Sequence, residues 1–183
     1  MPLVGIIAKK REFQAIKREL QDCNIELIHL NKKTIMNVNK ILFEEIIIVE
    51  DINLIPSEYK FMNEVVLKTK YLIINADIEI NILKYITIEK PVKVITFGFN
   101  TKATISISSV NDERIIVCLQ RNLERVDNRI IESQEKEIKI VKDTNRKIHN
   151  KLVVFIIKEL HNIKWMIRKC QHLGKNRQKN RKN

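Results

Sequence analysis

The sequence predicts an α/β fold: a short parallel sheet with flanking helices, followed by a small antiparallel β extension and a C-terminal helix. Three observations lead there. Five short apolar runs alternate with segments whose apolar residues fall at helical spacing, as βαβ units do. After Asn100 the period drops to two and short strands follow one another without helices between them. From about residue 144 a wide apolar stripe returns at helical spacing.

Each element has its own reason. Val4 to Ala8 is a short apolar run that suits a buried strand, and Phe13, Ile16 and Leu20 place a helix over Glu12 to Asp22. Ile25 to Leu30 reads as the second strand. Thr34 to Ile41 reads as a weak helix with Thr34 as its N-cap. Glu45 to Val49 (EIIIV) is the third strand, and Pro56-Ser57-Glu58 opens a helix carrying Phe61, Met62, Val65 and Val66. Tyr71 to Asn75 and Val92 to Phe97 are the fourth and fifth strands, with a short helix around Ile82 to Ile86 between them. Thr104 to Val110 alternates polar and apolar residues, and Asn111-Asp112-Glu113 turns the chain into Arg114 to Leu119. Arg129 to Ser133 and Glu135 to Val141 complete an antiparallel set. In the last helix, Thr144 to Arg168, the stripe is Leu152, Ile156, Leu160, Ile163 and Ile167.

Size and composition bound the rest. A chain of 183 residues with 44% apolar content suits one domain, expected over residues 1–168. Its parallel part is 1–100, its antiparallel extension 101–141 and its helix 144–168, and residues 169–183 read as a basic disordered tail. Charge is unevenly placed. Residues 142–183 hold 13 Lys/Arg against 2 Asp/Glu, net +11, whereas residues 1–141 hold 21 against 20, net +1. Cys23, Cys118 and Cys170 are far apart and lack metal-ligand spacing, so they read as isolated reduced thiols. His29, His149, His161 and His172 share no zinc spacing, and no metal site is expected. No apolar segment reaches the ~20 residues that span a bilayer. The N-terminal apolar run is too short for a signal peptide, so a cytoplasmic location is expected.

The polar punctuation of the fourth and fifth strands carries the functional signal. The fourth ends in Asn75-Ala76-Asp77 and the fifth in Thr96-Phe97-Gly98, which is how open α/β sheets present polar groups where ligands sit. With INAD at 74–77, ITFGFN at 95–100, the antiparallel strands and KIHNKLVVFIIKEL at 147–160, residues 71–163 resemble the later part of the central, ATP-binding domain of the Mur ligases, a Rossmann-like domain of peptidoglycan-precursor amide ligases. Asn150 stands where that family's helix-opening Asn would be. The likeness stops at the chemistry. The family's glycine-rich P-loop cradles phosphates on backbone amides, but the corresponding Ala8-Lys9-Lys10-Arg11-Glu12 has no glycine and no Lys-Thr pair. Within these 183 residues no counterpart of the family's substrate-binding or C-terminal ligase domain is expected. ATP binding in the family's usual mode and ATP-driven amide-bond formation are therefore not expected, and the cofactor is left unassigned.

The candidate ligand-binding residues are Asn75, Asp77, Gly98 and Asn150. Each has a plainer role beside it: Asp77 as a helix cap, Asn75 as a turn residue, Gly98 as the exit from a sheet and Asn150 as a helix start. Lys9, Lys10 and Arg11 are placed to meet a phosphate with side chains, although Glu12 beside them favours a solvated helix start. A second candidate set is Lys164, Trp165, Arg168, Lys169, Lys175, Arg177, Lys179, Arg181 and Lys182, which would favour an anionic membrane surface or nucleic acid. The expected function is a non-catalytic, Mur-ligase-like binding or regulatory module, with a residual nucleotide or nucleotide-sugar pocket. The alternative is an adaptor whose body meets a protein partner while its basic C-terminus holds an anionic surface. An enzyme with a site assembled across loops stays open.

Overall fold

The computed structural model describes residues 1–38, 40–51, 55–79, 84, 87, 91–139 and 148–163. Its centre is an eight-stranded sheet of β1 (Leu3–Ile7), β2 (Glu26–Leu30), β3 (Glu45–Ile48), β4 (Tyr71–Asn75), β5 (Lys93–Gly98), β6 (Ile105–Val110), β7 (Arg114–Leu119) and β10 (Glu135–Lys139), in the order β10-β7-β6-β5-β4-β3-β1-β2. β8 (Leu123–Glu124) and β9 (Ile130–Ile131) form a separate two-stranded antiparallel pair. The expected strand over Arg129 to Ser133 is thus reduced to two residues, and it pairs outside the main sheet.

From β2 to β5 the strands are parallel in the order 2-1-3-4-5, which reverses direction between β1 and β3. That order decides which face each helix covers. Right-handed crossovers put the step from β1 to β2 on one face and the steps toward β3 and β4 on the other. Accordingly α1 (Lys10–Glu19) packs Phe13 and Ile16 over Ile6, Ile47 and Ile73. On the opposite face α2 (Lys32–Ile35) and α3 (Pro56–Val66) bring Ile35, Met62, Val65 and Val66 to Ile7, Ile46, Ile48 and Leu72. Parallel strands covered on both faces favour near-continuous apolar runs, as in Ile46-Ile47-Ile48 of β3 and Tyr71-Leu72-Ile73-Ile74 of β4, with polar Glu45 and Asn75 at their ends.

Local chemistry moves some boundaries. α1 starts at Lys10, earlier than Glu12, and ends at Glu19, short of Asp22. α2 is one turn long and is capped by Asn31, whose side chain accepts from Lys33 and Thr34 backbone N–H groups. Thr34 is the third residue of that helix and closes the capping box by accepting from Asn31 N. The expected helix around Ile82 to Ile86 lies outside the described residues apart from Lys84.

The antiparallel extension continues the same sheet. β6 runs parallel to β5 but overlaps it by only Phe97↔Ile105 and Gly98↔Ser106. β7 then returns along β6, and β10 along β7. The final helix, α4 (Ile148–Leu160), is buried around its whole girth from Leu152 to Ile157 and shares the α1 side of the sheet. α4 ends at Leu160, with His161 and Asn162 in a turn and Ile163 beyond it, so the helix stops short of the expected Arg168; residues 144–147 and 164–168 lie outside the described residues.

At the amino edge of the parallel strands, the loop around β8 and β9 closes over the end of α4. Tyr71 Oη donates to the carbonyls of Glu124 and Arg125, and Val126 N donates to Leu160 O. Burial and neighbouring carboxylates push the Tyr71 hydroxyl up to about 12. Glu159 is buried and meets both Arg125 and Lys136. Beneath them Glu45, fully enclosed, has its Oε1 at 2.7 Å from His161 Nε2, a close approach that lacks hydrogen-bond alignment. Burial raises the Glu45 carboxyl above its ordinary 4.5, and the imidazole beside it offsets only part of that.

A raised folded-state value means that the folded chain holds a proton the unfolded chain releases. The Glu45 contribution is fully present below about pH 4.5 and is lost as pH rises through its folded value. Urea unfolding of wild type and Glu45→Gln across pH 4–8 should show wild type losing stability relative to the variant as pH rises; parallel curves would contradict this.

Candidate functional site

The carboxyl edge of the parallel strands carries two polar assemblies. The first joins the ends of β4 and β5 to the start of α4. Asn75, buried at the end of β4, donates from Nδ2 to Val49 O at 3.0 Å and accepts at Oδ1 from Asp77 N at 3.0 Å. Its amide therefore fastens β4 to the exit of β3 and shapes the turn into Asp77. The Asp77 carboxylate in turn accepts from Phe99 N at 2.7 Å and Asn100 N at 3.0 Å, and lies 2.7 Å from His149 Nε2. The His149 ring sits edge-on to Phe97 and Phe99, with centroids at 6.3 and 5.5 Å.

This environment sets the charge of Asp77. Burial alone would push its carboxyl up, but the His149 contact and the amides of Phe99 and Asn100 outweigh burial and hold it below the ordinary 3.8. The anionic form satisfies two otherwise open N–H groups and orients an imidazole. In sequence Asp77 reads as a cap for the segment that follows it. In space it caps the turn after β5.

Gly98 belongs to the same knot. Its φ is +149°, a backbone state that L side chains rarely adopt, and a Cβ there would lie 2.6 Å from Asp77 Cγ. The glycine thus lets the turn after β5 close onto the carboxylate. Asn150 does not join this group. It is buried in the first turn of α4, one residue beyond His149, and its Oδ1 has no hydrogen-bond partner among the described residues. An orphan acceptor of this kind costs about 1–3 kcal/mol. His149 is the member that sequence reading left aside; its adjacency to Asn150 was the signal available for it.

The second assembly is an open cleft of about 660 Å³ where the strand order reverses, lined by Ala8, Lys9, Lys10, His29, Asn31, Lys32, Lys33, Glu50 and Asp51. Ligands of open α/β sheets bind in such a crevice, outside the carboxyl ends of the strands. His29 Nε2 donates to Ala8 O at 2.8 Å while its ring stacks on Phe13 at 4.7 Å, fixing the floor between β2 and the entry to α1. Lys9 pairs with Glu50 at 3.0 Å. Lys9 also occupies the N-cap of α1 in an extended conformation, without a side-chain cap. The two assemblies are adjacent through β3, since Val49, which holds Asn75, precedes Glu50 at the cleft.

The glycine-free turn at Ala8-Lys9 does not fit a P-loop, because it enters α1 directly with no backbone cradle. Among the described residues there is no group of three or more His, Cys, Asp or Glu that could hold a metal ion. Cys23 and Cys118 are free thiols. Lys164, Trp165, Arg168, Lys169, Lys175, Arg177, Lys179, Arg181 and Lys182 lie outside the described residues, as does Cys170.

Replacing Gly98 by Ala imposes a disfavoured backbone state and drives a methyl against the carboxylate, a combined cost of ~2–4 kcal/mol. Chemical denaturation should show a loss of that size in Gly98→Ala, and a variant as stable as wild type would remove the close-packed role of this residue.

Compared with known proteins, the chain matches no protein-family model and no curated protein sequence.

Proposed function

We propose that the chain is a non-catalytic, Mur-ligase-like binding or regulatory module that takes a nucleotide or nucleotide sugar at the carboxyl edge of its parallel strands. The observation that carries this reading is the cleft at the point of strand reversal between β1 and β3, open and lined with basic side chains. The non-catalytic part is supported by the knot beside it. Both polar atoms of the Asn75 amide are engaged, and the Asp77 carboxylate is committed to two backbone amides and His149. In this reading Asn75, Asp77 and Gly98 build the rim of the site, and the ligand lies on the β1–β3 side of them.

A ligand that binds only the folded state raises the melting temperature with concentration. Thermal unfolding with ATP, ADP and UDP-sugars, each with and without Mg²⁺, should show a saturable rise for at least one of them. A flat response at millimolar ligand would overturn the reading.

The uneven charge favours a second role for the other end of the chain, as an adaptor on anionic surfaces. With net +11 over residues 142–183, association with anionic vesicles or nucleic acid should be steeply salt-sensitive and should vanish when residues 174–183 are deleted. Unchanged association after that truncation would dispose of the adaptor. Among the described residues no helix is long and apolar enough to cross a membrane.

A further inference from the structure

The geometry points to the cleft between β1, β2 and β3 as a site for a condensed phosphate group, gripped by two lysine pairs, Lys9-Lys10 and Lys32-Lys33, in place of a glycine-rich loop. The inference rests on the reading of the carboxyl edge as a binding edge, and it names the chemistry bound there.

Strand register brings the pairs together. β1 and β2 are parallel neighbours with Ile7 opposite Leu30. Each strand is followed, two residues later, by a Lys-Lys pair: Ile7-Ala8-Lys9-Lys10 and Leu30-Asn31-Lys32-Lys33. Adjacent strands lie about 4.8 Å apart, so two pairs distant in sequence emerge side by side at one end of the sheet. All four lysines line the same cleft.

The charge there is unbalanced. Four ammonium groups face two carboxylates, Glu50 and Asp51, leaving the lining at net +2. Lys9 is held by Glu50, whereas Lys10, Lys32 and Lys33 form no ion pair among the described residues. Like charges gathered in a concave place repel one another, and a multivalent anion relieves several of those repulsions at once. A chain of linked phosphates brings more negative charge to the four ammonium groups than one phosphate does, so affinity should rise with the number of condensed phosphates.

The site is also firm at its base. The His29–Ala8 hydrogen bond and the stacking of His29 on Phe13 fix the two strand ends relative to each other. The cleft's volume of about 660 Å³ falls within the range of small-molecule sites. Side chains rather than backbone carry the recognition, so it should follow the charge of the phosphates.

Isothermal titration of the full chain with orthophosphate, diphosphate, inorganic triphosphate, ATP and adenosine tests this. The expected result is at least tenfold tighter binding of triphosphate than of orthophosphate, with adenosine silent. A Lys10→Ala/Lys33→Ala variant should lose at least tenfold in triphosphate affinity. Lys17→Ala/Arg18→Ala, which removes the same charge from exposed positions at the far end of α1, should not. The basic C-terminus is present in all three proteins, so it cannot create a difference between them. A Lys10→Gln/Lys33→Gln variant repeats the test with side chains of similar length, and circular dichroism checks that each variant is folded. If ATP binds but triphosphate does not, or if both double variants lose affinity equally, the lysine site is overturned while the binding-module reading stands. If triphosphate binds through Lys10 and Lys33 without any response to ATP or UDP-sugars, the lysine site stands and the nucleotide reading falls. Silence to every phosphate removes both.

Discussion

Covering both faces of a parallel sheet is the constraint on which the rest of this structure depends. Parallel strands bury both sides, so a chain of 183 residues must supply apolar cover above and below from few helices. On one side α2 and α3 suffice for the strands they cross. On the other, α1 covers the strands near β1, and α4 must cover the middle of the sheet and reach toward the antiparallel part. That demand explains why α4 is apolar around its whole girth. It also explains why polar chemistry gathers at the helix ends, the places where α4 meets anything other than core.

The two ends are fastened in chemically related ways. At the carboxyl edge His149 meets Asp77, and at the amino edge His161 meets Glu45. The surroundings differ, and so do the consequences. Asp77 is held by His149 and two backbone amides that favour its anion, whereas Glu45 is fully buried, which disfavours its anion despite His161 beside it. A helix of thirteen residues is thus held at one end by a carboxylate stabilised in its charged form and at the other by one burdened by its charge. The knot around Asp77 further ties α4 to the exit of β3 through Asn75, beside the lysine cleft.

Most of the fold was legible because continuous Ile-rich runs, period-two alternation after Asn100 and helical stripes are strong signals. The strands of the parallel half lie within a residue or two of where the sequence places them. Local competition decided the misses. Asn31 accepts from two amides and outcompetes Thr34 as the cap, and among the described residues Ile130-Ile131 pairs with Leu123-Glu124 outside the main sheet. In the knot, Asn75, Asp77 and Gly98 stood out because polar and glycine residues at strand ends demand an explanation. Their partner His149 did not, because it is 72 residues from Asp77 and no spacing rule links them. Of the cleft lysines, Lys9 and Lys10 are legible in sequence as side chains placed to meet a phosphate, but Lys32-Lys33 are not. With Arg11-Glu12 beside it, Lys9-Lys10 also reads as an ordinary solvated helix start, and only the register of β1 on β2 reveals that Lys32-Lys33 shares its place.

The short overlap of β5 with β6 has a mechanical consequence. Two residue pairs of main-chain ladder join the parallel half to the antiparallel extension, against five between β4 and β5. The seam is therefore held less by backbone hydrogen bonds than by side chains that cross it, Phe97, Ile105 and Val117 packed with α4 in one cluster. Such a joint is strong in compression and weak in peeling. The extension is poised to detach as a cooperative unit once that shared packing is loosened, leaving the ladders from β2 to β5 intact.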